Sequence, residues 1–195
     1  MVAMSTESEL KEAFADEIRE KQYFCSSFKH IFSCALDAIK FWTFCGLHFP
    51  YVINDLGNGG NFKIDFEPQF AMAILGELTK APTEQLPKDN NGYEAKLRAK
   101  FIGELKLKEF SCKRFSQEFN SVKSAINFWS FCGLHLPFTL EKSTTCIYGA
   151  NTYDRFQIKF DEKYGNIILS HLSQAPPPDA WWTPIWNLWQ SFIDD

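Results

Sequence analysis

"FWTFCGLHFP" fills residues 41–50 and "FWSFCGLHLP" fills residues 128–137, so a 195-residue chain carries nearly the same ten residues twice. The likeness spreads in both directions. Sliding residues 7–50 over residues 94–137 needs no gap and gives 18 identities in 44 positions, among them Phe14/Phe101, Glu17/Glu104, Lys21/Lys108, Cys25/Cys112, Phe28/Phe115 and Phe32/Phe119. After the string the match lapses, then returns when "FKIDFEPQFAMAILGELTKAP" (62–82) is laid on "FQIKFDEKYGNIILSHLSQAP" (156–176). The second copy thus holds seven extra residues between Pro137 and Phe156. The expectation is a tandem duplication with units at 1–88 and 89–178, followed by an aromatic C-terminal helix at 179–195 that packs on the body.

Each copy reads as α-α-β-β-α. The first helix is expected from about Glu7 to Glu20. A second carries Phe28, Ile31, Phe32, Ala35, Leu36, Ile39 and Trp42 at spacings of three and four, one apolar stripe of a helix. Gly46 ends that helix, because glycine enters the left-handed region without a Cβ clash, and Pro50 prevents it from resuming. "YVIND-LGNGG-NFKIDF" is strand, glycine-rich turn and strand, and "EPQFAMAILGELTKAP" is a short amphipathic helix. The fold class is therefore α+β, with the two units closing about an internal two-fold and their strands forming one shared sheet. Residues 83–93, "TEQLPKDNNGY", form the linker.

Composition sets limits on function. Twenty Phe, six Trp and six Tyr supply a large core. A net charge of −4 argues against general nucleic-acid binding, which needs a cationic face to displace counterions. No apolar stretch is long enough for a membrane span. Six Cys without a secretory leader point to reduced thiols and a cytoplasmic location. The charge is uneven: residues 1–88 hold 8 Lys/Arg against 12 Asp/Glu, whereas residues 96–114 concentrate Lys and Arg.

The repeated string offers two kinds of candidate. Phe41, Trp42 and Phe44, with Phe128, Trp129 and Phe131, look like core on nearly every side of the helix end. Cys45, His48, Cys132 and His135 are the chemical candidates. Two Cys-x-x-His pairs meeting at the dyad would supply a Cys2His2 zinc set. The two histidines also resemble in part the paired His-x-Thr/Ser motifs of two-histidine phosphoesterases, where they imply general acid and base roles. Pro50 and Pro137 stand where the hydroxyl of that motif belongs. Cys25 and Cys112 also repeat and are expected near a helix start, where a thiol pKa can be lowered, with packing the favoured role.

No Gly-x-Gly-x-x-Gly, Walker loop, Gly-x-Ser-x-Gly or His-Glu-x-x-His is present. The first expectation is therefore a non-enzymatic binding module for another protein, of the inhibitor or immunity type and without a cofactor. The alternative is a zinc protein or hydrolase built on the Cys/His pairs. Contact surfaces are expected where the copies differ: the acidic run Glu12, Asp16, Glu17 and Glu20; the inserted segment with Tyr148, Tyr153, Asp154 and Arg155; and Trp186 and Trp189 of the last helix.

Overall fold

The fold is described from a computed structural model over residues 6–21, 24–57, 60–80, 92–108, 111–147 and 151–173. Most of the linker, Tyr148 and the C-terminal segment with Trp186 and Trp189 lie outside the described residues. The chain is mixed α and β and divides into two compact units, Met1–Leu86 and Pro87–Asp195. No helix among the described residues is long and apolar enough to cross a membrane.

In the first unit α1 spans Glu7–Lys21, α2 Ala35–Phe44, β1 Val52–Asp55, β2 Phe62–Asp65 and α3 Ala71–Thr79. Thr6 and Glu9 start α1 as a reciprocal capping box: Thr6 N–H donates to Glu9 Oε2 (2.9 Å) and Glu9 N–H donates to Thr6 Oγ1 (3.3 Å). In the second unit α4 spans Tyr93–Lys108, β3 Arg114–Phe119, α5 Val122–Phe131, β4 Thr139–Ile147, β5 Asn151–Lys159 and α6 Gly165–Ser173. Strands β1 and β2 pair antiparallel, and β3-β5-β4 form a second antiparallel sheet. Each sheet draws its strands from one unit, in place of the single shared sheet expected above.

The expected second helix begins too early. Residues 28–32 are extended, with bridges Ser27↔Asp65 and Phe32↔Phe62 onto β2, and the aligned residues form β3. A four-residue spacing satisfies a helix and a strand alike, so Phe28/Phe32 and Phe115/Phe119 fit both periods. Ile31 separates them: it is 43% exposed, as the odd residue of a strand would be and a stripe residue of a helix would not. Helix α5 starts at Ser121, whose hydroxyl accepts from Ser124 N–H at 3.1 Å.

Aromatic rings fill both cores in the same pattern. Phe14 of α1 lies 4.6 Å from Phe28, Phe28 stacks on Phe41 of α2 at 5.3 Å, and Trp42 stacks on Tyr51 at 4.3 Å. The second unit repeats this with Phe101–Phe115 at 4.6 Å, Phe115–Phe128 at 5.4 Å and Trp129–Phe138 at 4.5 Å. Phe44 departs from the expectation of core on all sides: it is 44% exposed.

Among the described residues two carboxyl groups are buried, those of Glu17 and Glu94. Glu17, expected in the acidic contact run, is only 2% exposed. Its carboxylate accepts from Lys29 N–H at 3.0 Å and from Lys21 Nζ at 2.6 Å. The aligned Glu104 accepts from Ser116 N–H at 2.9 Å and from the Ser116 hydroxyl. In each unit a helix carboxylate therefore satisfies an N–H of the extended segment twelve residues later. In the first unit this bond is partly buried, which limits water as a substitute partner for the Lys29 N–H.

Removing Glu17 leaves this N–H orphaned, so Glu17→Ala should cost about 1–3 kcal/mol. Lys21 is 48% exposed in the same pair, so Lys21→Ala should cost less than about 1 kcal/mol. Urea unfolding of both variants measures the difference, and equal effects would remove Glu17 from this role.

Candidate functional site

The repeated string closes a helix. Gly46 N–H donates to Thr43 O at 2.9 Å and Leu47 N–H donates to Trp42 O at 3.2 Å, with Gly46 at φ 68°. The second unit has Gly133 N–H to Ser130 O at 2.9 Å and Leu134 N–H to Trp129 O at 3.2 Å, with Gly133 at φ 67°. This pair of bonds is a Schellman cap, which satisfies the last carbonyls of the helix and folds the following Leu back onto it. Leu47 and Leu134 are both buried. Most of the string is thus accounted for by capping and packing. The indole N–H of Trp42 and of Trp129 is buried without a hydrogen-bond partner, a cost the two cores share.

Cys45 and Cys132 occupy the cap position itself, and both are buried. Burial pushes each thiol up to about 12, and the neighbouring cations Lys11 and Arg98 offset only part of that. A free thiol held neutral at physiological pH is a poor nucleophile. His48 and His135 are half-buried. Among the described residues no three His, Cys, Asp or Glu side chains are grouped to hold a metal ion. Cys25 and Cys112 lie in extended chain and not at a helix start. Their pKa values are raised by burial, the opposite of the expected direction, and each Sγ lies 3.4 Å from a backbone oxygen, of Ser27 and Arg114 respectively.

Sequence reasoning passed over His171. It sits on α6 and faces the main chain of Cys132 and Gly133, the cap of α5. Burial lowers its pKa, with those backbone groups opposing the shift. Beside it, Arg98 Nη2 donates to Leu172 O at 2.7 Å. The position aligned with His171 is Glu77, so no repeated signal marked it.

The acidic run of α1 separates into two roles. Glu12 and Asp16 are exposed and line an open cleft of about 580 Å³ between α1 and α3, together with Lys11, Ala15, Arg19 and Phe44. Glu20 is exposed as well. Glu17 points inward, as described. In the second unit Ile102 takes the place of Ala15 and is half-buried, and Arg98 takes the place of Lys11.

The insertion forms strand, where a diverged loop was expected. Nine residue pairs join β4 and β5, from Thr139↔Lys159 to Ile147↔Asn151. Strand β3 accompanies them only as far as Phe119↔Phe156. Five pairs, Ser143↔Arg155 to Ile147↔Asn151, therefore continue as a two-stranded ribbon, about 17 Å at the usual rise per residue. Thr152, Tyr153 and Asp154 are exposed in succession, as are Ser143 and Thr144, so both faces of the ribbon meet water. Tyr153 is 51% exposed. Lys142 pairs with Asp154 at 3.0 Å, and at the base Lys159 pairs with Glu141 at 2.6 Å, which holds the Glu141 carboxyl below its ordinary range. The β-branched residues Thr144, Thr145, Ile147 and Thr152 around Gly149 were the available signal for a hairpin.

Comparison with protein-family models, with curated proteins and with solved structures finds no match.

The two cap thiols carry a pH signature. Their folded pKa is raised from about 9 to about 12, so the folded state holds protons that the unfolded chain has released. Their contribution to stability is complete below pH 9 and is lost as pH rises toward 12. Cys45→Ala with Cys132→Ala should flatten this alkaline fall in urea unfolding relative to the unaltered chain. An equal fall in both proteins would show that these thiols are not the source.

Proposed function

We propose that this chain is a non-enzymatic protein-binding module that acts on a partner, as an inhibitor or immunity-type protein does, and that the β4–β5 ribbon is its principal contact. The observation that carries the reading is the ribbon's exposure on both faces. A two-stranded hairpin whose described side chains meet water on both faces is marginal on its own, and the Lys142–Asp154 pair at its root is exposed and worth little. A segment kept in that form gains most from a surface that covers it. Tyr153, Asp154 and Arg155 give the ribbon an aromatic ring and both charges, the side-chain types that dominate protein contacts when desolvated.

The position of the ribbon supports the same reading. It grows from the seven residues that the second unit has and the first lacks. The rings and caps that the units share are buried, whereas the segments that differ face water. The cap cysteines weigh against a nucleophilic role in the hydrolase alternative, because burial keeps the free thiols neutral. A cytoplasmic setting agrees with cysteines left as free thiols.

The test is affinity capture from extract of the source cells, comparing the unaltered chain with Tyr153→Ala/Asp154→Lys/Arg155→Glu and with His48→Ala/His135→Ala. A protein bound by the unaltered chain should bind the ribbon variant at least about tenfold more weakly and the histidine variant equally. A partner that ignores the ribbon change and depends on the histidines would overturn the assignment.

A further inference from the structure

Helices α1 and α4 occupy aligned places in the two units, and their inner faces match. Phe14/Phe101 and Glu17/Glu104 are identical, and both glutamates bond the chain twelve residues on. Their outer faces are opposite in charge. On α1, Glu12, Asp16 and Glu20 form a stripe with one residue per turn, all exposed. The aligned residues on α4 are Ala99, Gly103 and Leu107, with no acid among them. In return α4 exposes Lys96, Lys100 and Lys106, where α1 has Glu9, Ala13 and Arg19. Over their full lengths α1 holds six acidic and three basic residues, and α4 holds two acidic and five basic.

Relative to α1, four acids are missing from α4 and two lysines are added to it, beside an exposed Leu107 (86%). Existing bonds leave the pattern open. Asp16 pairs with the exposed Arg19, a surface contact that exchanges readily. Lys100 bonds the neutral Gln117 Oε1 and lies over the Phe115 ring. Among the described residues Lys96 and Lys106 enter no ion pair of the kind that joins Lys108 to Glu104.

We infer that the acidic face of α1 and the basic face of α4 are the two halves of one interface, and that its occupant is a second copy of this chain. Spacing supports the pairing as well as sign. With a rise of about 1.5 Å per residue, Glu20, Asp16 and Glu12 recur about every 6 Å. Laid antiparallel, Glu20 meets Lys96 and Asp16 meets Lys100, two pairs one helical turn apart. Ala13, Ala99 and Gly103 lie between these charges and permit close approach of the backbones. Antiparallel helices also bring opposite dipole ends together. One such helix pair is a small interface at the weak end of the range, so association is reversible and sensitive to salt.

The self-association does not rest on the ribbon reading, and ribbon variants should leave it unchanged. Sedimentation of the full chain at about 0.05 M and about 0.5 M salt is the first test, since screening shortens the reach of charge over that span. The expected result is an oligomer at low salt that dissociates at high salt. Two charge reversals then locate it: Glu12→Lys with Asp16→Lys, and Lys96→Glu with Lys100→Glu. Each alone should be monomeric at low salt, because both of its faces then carry one sign. An equimolar mixture should pair again. Far-UV circular dichroism checks that the exposed substitutions leave the fold intact, and if a variant unfolds, the salt titration of the unaltered chain still decides. A monomer at low salt, or an oligomer whose mass survives both reversals, would overturn the inference.

Discussion

Three phenylalanines from three different elements meet in each unit, and the rest of the architecture is arranged around them. Phe14 comes from α1, Phe28 from the extended segment and Phe41 from α2, with ring centroids 4.6–6.0 Å apart. Phe101, Phe115 and Phe128 repeat the arrangement at 4.6–6.1 Å. Each ring hides a large apolar area, so the cluster fixes which face of each element points inward. It does not fix direction along the chain. The carboxylate of Glu17, buried, or of Glu104, half-buried, supplies that, because a hydrogen bond to a single backbone N–H holds the extended segment in one register against the helix. The apolar cluster and the polar tie together explain why the aligned residues between them are kept.

The same comparison separates scaffold from surface. Rings, caps and the helix carboxylate agree between the units to within a few tenths of an ångström in their contacts. The ribbon and the outer faces of α1 and α4 do not agree at all. Buried positions resist change because a lost methylene or an orphaned donor costs folding energy. Exposed positions carry no such penalty, and there the two helices differ in net sign, with six acids and three bases on α1 against two acids and five bases on α4.

The Cys/His string shows how a sequence can suggest chemistry that the local environment withholds. Cys-x-x-His invites a metal or nucleophile reading, since thiolate and imidazole are good ligands. Placing the cysteine at a helix cap and burying it there raises its pKa to about 12. The residue then behaves as a small apolar group. Desolvation sets the charge state of the free thiol, and desolvation is not written in the spacing.

What depends on near neighbours was legible along the chain. The capping glycines Gly46 and Gly133, the hairpin turn after Asp55, the breaks at Pro50 and Pro68, and the α+β class all follow from local backbone preferences and periodicity. Whatever depends on which face is wet had to wait for packing. Phe28 and Phe32 are four apart, a spacing common to helix and strand, and only pairing with β2 made the segment extended. Glu17 lies in one acidic run with Glu12, Asp16 and Glu20, and only the packing of α1 turned it inward while leaving them in water. His171 carried no repeated signal, and its place at the α5 cap arises from the docking of α6. Burial is a property of the assembled chain, and it set the charge state of the cysteines, the role of the glutamate and the exposure of the ribbon.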